Sequence, residues 1–223
     1  MCTAFRWPLV LACVVATAGC STLKDSPTGQ ALSALIPGQG EATAAQAEAV
    51  SFASLALDTS SVRGLAVLGA HTGAQTHWPL AAGNFFTLYH GSLYAMSSPE
   101  GDLLATRYAA PSLNAAEGTA MPWQQPSPAT FTVERHWVTP EGIAMADYAD
   151  ATMQCSAPAL QALVLAELPL EQCEVRYQWQ SGATTQGQWW RSPSSFRLWQ
   201  ASEQAWPGGP EVAWQVARPW WNE

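Results

Sequence analysis

Lysine is almost missing from this chain: Lys24 stands alone among 223 residues, and lysine and arginine together number 9 against 17 aspartates and glutamates. The formal net charge of −8 repels nucleic acid and anionic lipid headgroups, so no nucleic-acid partner and no basic membrane patch is expected. Apolar runs are short, and none approaches the roughly 20 residues that a membrane-crossing helix needs. Nucleophile elbow, phosphate loop and dinucleotide fingerprint are all missing. The histidines His71, His77, His90 and His136 lack the i, i+4 spacing that sets two imidazoles on one helix face for zinc. No metal, other cofactor or catalytic residue is therefore expected.

What is present begins with the amino-terminal segment. Arg6 is its single charge, Trp7 to Ala16 is apolar apart from one proline, and Thr17-Ala18-Gly19 leads straight into Cys20. This has the parts of a secretory signal, and its end resembles a bacterial lipobox, with Thr17 where leucine is usual. The resemblance implies that residues 1–19 form a lipoprotein signal peptide and that Cys20 becomes the first mature residue, carrying diacylglycerol on sulfur and palmitate or a similar acyl group on nitrogen. Each buried methylene contributes about 0.8 kcal/mol, so two or three chains anchor stably. Ser21, next to the lipidated residue, is compatible with release to the outer membrane facing the periplasm. Residues 20–42 read as a flexible tether of roughly 25 Å reach.

Once the segment is removed, Cys2 and Cys13 leave with it and Cys20 is lipidated, so Cys155 and Cys173 remain. In an oxidising envelope compartment such a pair reads as a disulfide, with two separate buried thiols as the alternative. Of the 12 tryptophans only Trp7 precedes Cys20. A Trp-rich, Lys-poor chain is rich in β-formers, and its rings are either buried or used on a binding surface.

Along residues 43–223 the pattern predicts one all-β domain, an antiparallel sheet curled into a barrel or half-barrel after a short N-terminal helix. Thr43 to Gln46 has capping-box spacing, predicting a helix over about 44–50. Alternating strands follow, punctuated by turns at His90-Gly91, Pro99 to Asp102, Thr139 to Gly142, Ser181-Gly182 and Pro207 to Pro210. Ala159 to Glu167 is readable as helix or strand. With four prolines, residues 109–129 read as a long surface loop or a seam between two halves of the sheet.

In order, the lipobox, Phe52 to Leu55, Leu65 to Leu68, His77-Trp78, the hairpin Phe86 to Leu104, Trp189 to Pro193, and Val216 to Pro219 resemble the group 4 capsule polysaccharide lipoprotein family, GfcB/YjbF type. Two places depart from its pattern: Tyr89 and Ser92 stand where basic residues are usual, and Ser192 where an acidic one precedes Pro193. The resemblance implies an outer-membrane, non-enzymatic accessory in exopolysaccharide or capsule production or export. Its expected partners are polysaccharide or polysaccharide-export proteins.

The residues themselves offer two further readings. Glu134 and Asp147 are a carboxylate pair that a polysaccharide-trimming hydrolase would hold about 5–10 Å apart, although exposed acids on strand edges more often only discourage edge pairing. A carrier of lipid or lipoprotein would instead need an apolar half-barrel cavity. Trp189, Trp190, Trp220 and Trp221 are the candidate glycan or partner contacts, because indole packs on the apolar C–H faces of sugars. Consecutive strand residues face opposite ways, so one of each pair is expected in the core.

Overall fold

The computed structural model describes residues 40–109 and 121–221. The signal peptide, Cys20 and most of the tether lie outside them. The first element is helix α1 (Ala44–Ala49), whose start is fixed by a reciprocal capping box between Thr43 and Gln46. The strands are β1 (Ser54–Thr59), β2 (Arg63–Val67), β3 (Ala70–Thr72), β4 (Gln75–Pro79), β5 (Phe85–Tyr89), β6 (Ser92–Ser98) and β7 (Gly101–Ala109), then β8 (Ala129–Val138), β9 (Ala144–Cys155), β10 (Ala159–Ala162), β11 (Glu167–Trp179), β12 (Thr184–Arg191), β13 (Leu198–Gln204) and β14 (Glu211–Arg218).

All belong to one antiparallel sheet in the order β2-β1-β14-β13-β12-β11-β9-β8-β7-β6-β5-β4-β3, with β10 added beside β11. The two ends of this path, β2 and β3, are separated in sequence only by Leu68 and Gly69. A chain covers at most about 3.6 Å per residue, so the sheet has to roll round until its two edges nearly meet. At the junction Leu68 N–H donates to the Ala53 carbonyl and Gly69 N–H to the His77 carbonyl, both at 2.9 Å. No ladder pairs the two edges along their length, and the sheet stays curled and open.

Alternation decides what fills the inside. In β8 the inward set is Ala129, Phe131, Val133, Arg135 and Trp137, and in β11 it includes Cys173, Val175, Tyr177 and Trp179. All of these except Arg135 belong to one continuous hydrophobic core with Leu55, Trp78, Phe86, Leu103, Trp189 and Trp214. Gly187 in β12 answers to that packing: a Cβ there would meet the Glu203 Cβ at 3.1 Å and the Tyr177 ring at 3.6 Å. A smaller outer core forms where α1 and Val50 cover Leu65, Val67 and Ala217.

Two segments depart from the sequence expectation. Part of the 109–129 stretch is buried rather than a surface loop: Met121 and Trp123, around a single 3-10 turn over Pro122–Gln124, sit inside the curl. Ala159 to Glu167 resolves into the short β10 and a turn, so that residues 156–172 form an arm. Its base is joined by the Cys155–Cys173 disulfide, exactly where β11 changes partner from β9 to β10, and its tip reaches Gln215, whose Oε1 accepts from Val164 N–H at 2.8 Å.

Candidate binding cleft at the sheet rim

One end of the curled sheet carries an open cleft of about 480 Å³, within the size range of small-ligand sites. Among the described residues its walls come from five places. The β5–β6 hairpin supplies His90 and Gly91, whose φ values of 49° and 88° make the two-residue turn that matches strand twist. Gly91 suits this place because L side chains rarely adopt its φ, and its carbonyl accepts from Trp214 Nε1 at 3.2 Å. The β3–β4 turn adds His71, Gly73 and Ala74, and the start of β13 adds Arg197 and Leu198. Trp123 with Gln124, and Trp220 with Trp221, complete the lining.

The tryptophan pair is built as a corner. Trp220 stands edge-on to Trp221 with centroids 4.4 Å apart and edge-on to Trp78 at 5.4 Å, while Trp221 meets Trp199 at 5.2 Å. Both are half-buried and packed against the core, so each ring is fixed from behind and open in front. The Arg197 guanidinium lies 5.4 Å over the Trp221 ring, a cation–π contact. The His90 ring is edge-on to Tyr89 at 4.6 Å, and burial holds its pKa below the ordinary histidine value, favouring the neutral imidazole.

β14 ends at Arg218, so Trp220 and Trp221 are not alternating strand residues, and both line the same cleft. Trp189 is fully buried, stacked on Phe131 at 6.0 Å and edge-on to Trp123 at 5.4 Å, and offers no surface to a ligand. Trp190, on the opposite face of β12, is half-buried away from the cleft.

Glu134 and Asp147 do not form a hydrolase pair. Arg135 lies opposite Asp147 and Glu134 opposite Tyr148 in the β8–β9 register, so the two carboxylates point to opposite faces of the sheet. Glu134 is bound on the outer face by the Tyr148 hydroxyl at 2.8 Å, by His136 and by Arg107, and the first two hold its carboxyl below the usual range. Asp147 is buried and accepts from Tyr148 N–H at 2.8 Å.

Where a lipid carrier would need an apolar cavity, the interior carries a polar network. Arg135 and Glu203 form a fully buried ion pair there. Arg135 also donates to the Gln204 carbonyl and, at 3.0 Å, to that of Ala205, and the Tyr177 hydroxyl donates to Glu203 at 3.3 Å. Nearby, Arg191 donates to Glu171 at 2.7 Å and to the carbonyls of Trp123 and Gln125 at 2.6 and 2.7 Å, which fastens the inserted segment in place. The inward period of β8 was the available signal for Arg135, and nothing local marks its distant partners. Cys155, Glu171 and Cys173 lie close together, but the disulfide uses both thiols.

An open, strongly curled antiparallel sheet with an aromatic cleft at one rim is therefore the class of molecule defined here. Among solved structures, the hypothetical lipoprotein YmcC from Escherichia coli K12 shares this fold, with a TM-score of 0.64 over 79% of this chain and 89% of that chain at 15% sequence identity. No family model matches the chain, and no curated protein matches it.

Proposed function

We propose that the protein is a lipoprotein anchored to the outer membrane through Cys20, facing the periplasm, and that it acts there as a non-enzymatic accessory in exopolysaccharide or capsule export by binding glycan at the rim cleft. The anchor rests on the lipobox-like Thr17 to Cys20 and is in keeping with the fold shared with a hypothetical lipoprotein. The export role rests on the sequence resemblance to the capsule lipoprotein family. The single observation that carries the binding reading is the Trp220–Trp221 corner, two indoles braced from behind and open to a cleft that also presents Arg197, Gln124 and His90. Flat rings take the apolar face of a sugar, and the polar rim takes its hydroxyls.

Titration of oligosaccharides from the host's own exopolysaccharide into the purified lipoprotein, followed by tryptophan fluorescence, tests this. Saturable binding is expected, weakened about tenfold or more (roughly 1.4 kcal/mol) by Trp221→Ala in a protein with an unchanged far-UV spectrum. No binding by the wild type, or equal binding by the variant, overturns it.

A further inference from the structure

We infer that the cleft selects a carboxylate-bearing sugar, such as a uronic acid unit within a polysaccharide chain. This rests on the glycan-binding reading above and adds the chemical class of the ligand.

The argument starts from what the arginines do. Arg63 pairs with Asp58, Arg107 with Glu134, Arg135 with Glu203, Arg176 with Glu174 and Arg191 with Glu171. Arg218 donates to the Ala47 carbonyl. Among the described residues Arg197 is the one arginine whose guanidinium meets neither a carboxylate nor a carbonyl; its contact is the Trp221 ring. In a chain with 17 acids and 9 bases, a cation left without an acid partner is the exception. Around it the described lining contributes the imidazoles of His71 and His90 and no carboxylate at all. A protein that is negative as a whole thus presents, in the described lining of this cleft, a guanidinium with no opposing carboxylate.

Geometry narrows the anion. A guanidinium is a planar fork that matches a carboxylate through two parallel N–H···O bonds, and ring contact with Trp221 restricts the plane it can adopt. A phosphate site would more commonly use the N-terminus of an α-helix, and no residue of α1 lines this cleft. The carboxylate of a uronic acid is attached directly to the sugar ring, so a ring packed in the Trp220–Trp221 corner carries its charge within reach of the neighbouring guanidinium. Gln124 and the neutral His90 remain for hydroxyls.

The test uses the full detergent-solubilised lipoprotein and two oligosaccharides of one length and linkage, a polyglucuronate and its carboxyl-reduced form. Calorimetry at low salt should show the acidic form binding about tenfold or more tightly, a preference that shrinks as salt screens the charge. In Arg197→Gln the preference should vanish, the variant binding the acidic and the reduced form with the same affinity. Equal affinity of the wild type for both forms, or a preference that survives Arg197→Gln, overturns the inference and leaves glycan binding standing. Displacement of the acidic sugar by inorganic phosphate or an acidic peptide at similar concentration also overturns it, in favour of a general anion site. Failure of both sugars to bind overturns the glycan reading itself.

Discussion

The interior of the curl and its rim use the same side chain in opposite ways. Inside, Arg135 is fully buried and its charge is answered by Glu203 and two backbone carbonyls. At the rim Arg197 is exposed and rests on an indole. A buried guanidinium without its anion costs several kcal/mol, whereas an exposed one is solvated at little cost and stays available. The difference teaches where to look for function: the buried pair belongs to the fold, and the unpaired rim cation belongs to the site.

The comparison breaks most visibly at Glu203. Replacing Glu203 by Ala leaves Arg135 buried without its anion and should lower unfolding free energy by about 3–5 kcal/mol, read from the urea midpoint at constant slope. Replacing both residues by apolar ones of similar volume should restore much of that loss. A single variant as stable as the wild type would show that the pair is not the interior's electrostatic anchor.

Next in size is the arm. Reduction of Cys155–Cys173, which closes a separation of 18 residues, should cost about 3 kcal/mol. Limited proteolysis should then cut first within residues 156–172, and cleavage elsewhere first would contradict the role given to the staple.

The interior should also show in alkali. Burial, with Glu203 close by, raises the pKa of both Tyr108 and Tyr177 above the ordinary phenol value. Below pH about 10 both are neutral in folded and unfolded chains alike, and their contribution to stability is intact. Above it the unfolded chain gives up these protons while the folded one holds them, so stability should fall with rising pH by up to about 1.4 kcal/mol per unit for each tyrosine. Lys24 is the sole lysine, and Tyr148, raised by its hydrogen bond to Glu134, steepens the same fall. A flat profile in denaturant titrations from pH 8 to 11 would contradict the burial of these hydroxyls.

Smallest of all should be the effect of Arg197→Gln on stability, within about 0.5 kcal/mol as for ordinary surface changes. A larger loss would move Arg197 from the site to the fold and erase the contrast with Arg135.

Much of the fold was legible because local chemistry and final structure agree. The capping box at Thr43 and Gln46, the His90-Gly91 hairpin and the turn from Thr139 to Gly142 each depend on residues adjacent in sequence. The length of β9 was harder to read, because alanines at 144, 146, 149 and 151 dilute the strand pattern. Trp123 was missed for a different reason. Prolines announce a break in regular structure, but the insertion of that break into the core is held by Arg191 from 66 and 68 residues away. The cleft follows the same logic: Trp220 and Trp221 were singled out from composition, yet their shared orientation exists because β14 stops at Arg218.

The most direct test of the account is a titration of isotope-labelled protein with an acidic oligosaccharide, following the indole N–H signals one by one. Those of Trp220 and Trp221 should shift together and saturate, while Trp179 and Trp189, buried in the core, stay in place. Shifts confined to the core tryptophans, or to residues of the outer face of β8 and β9, would contradict a binding site at the rim.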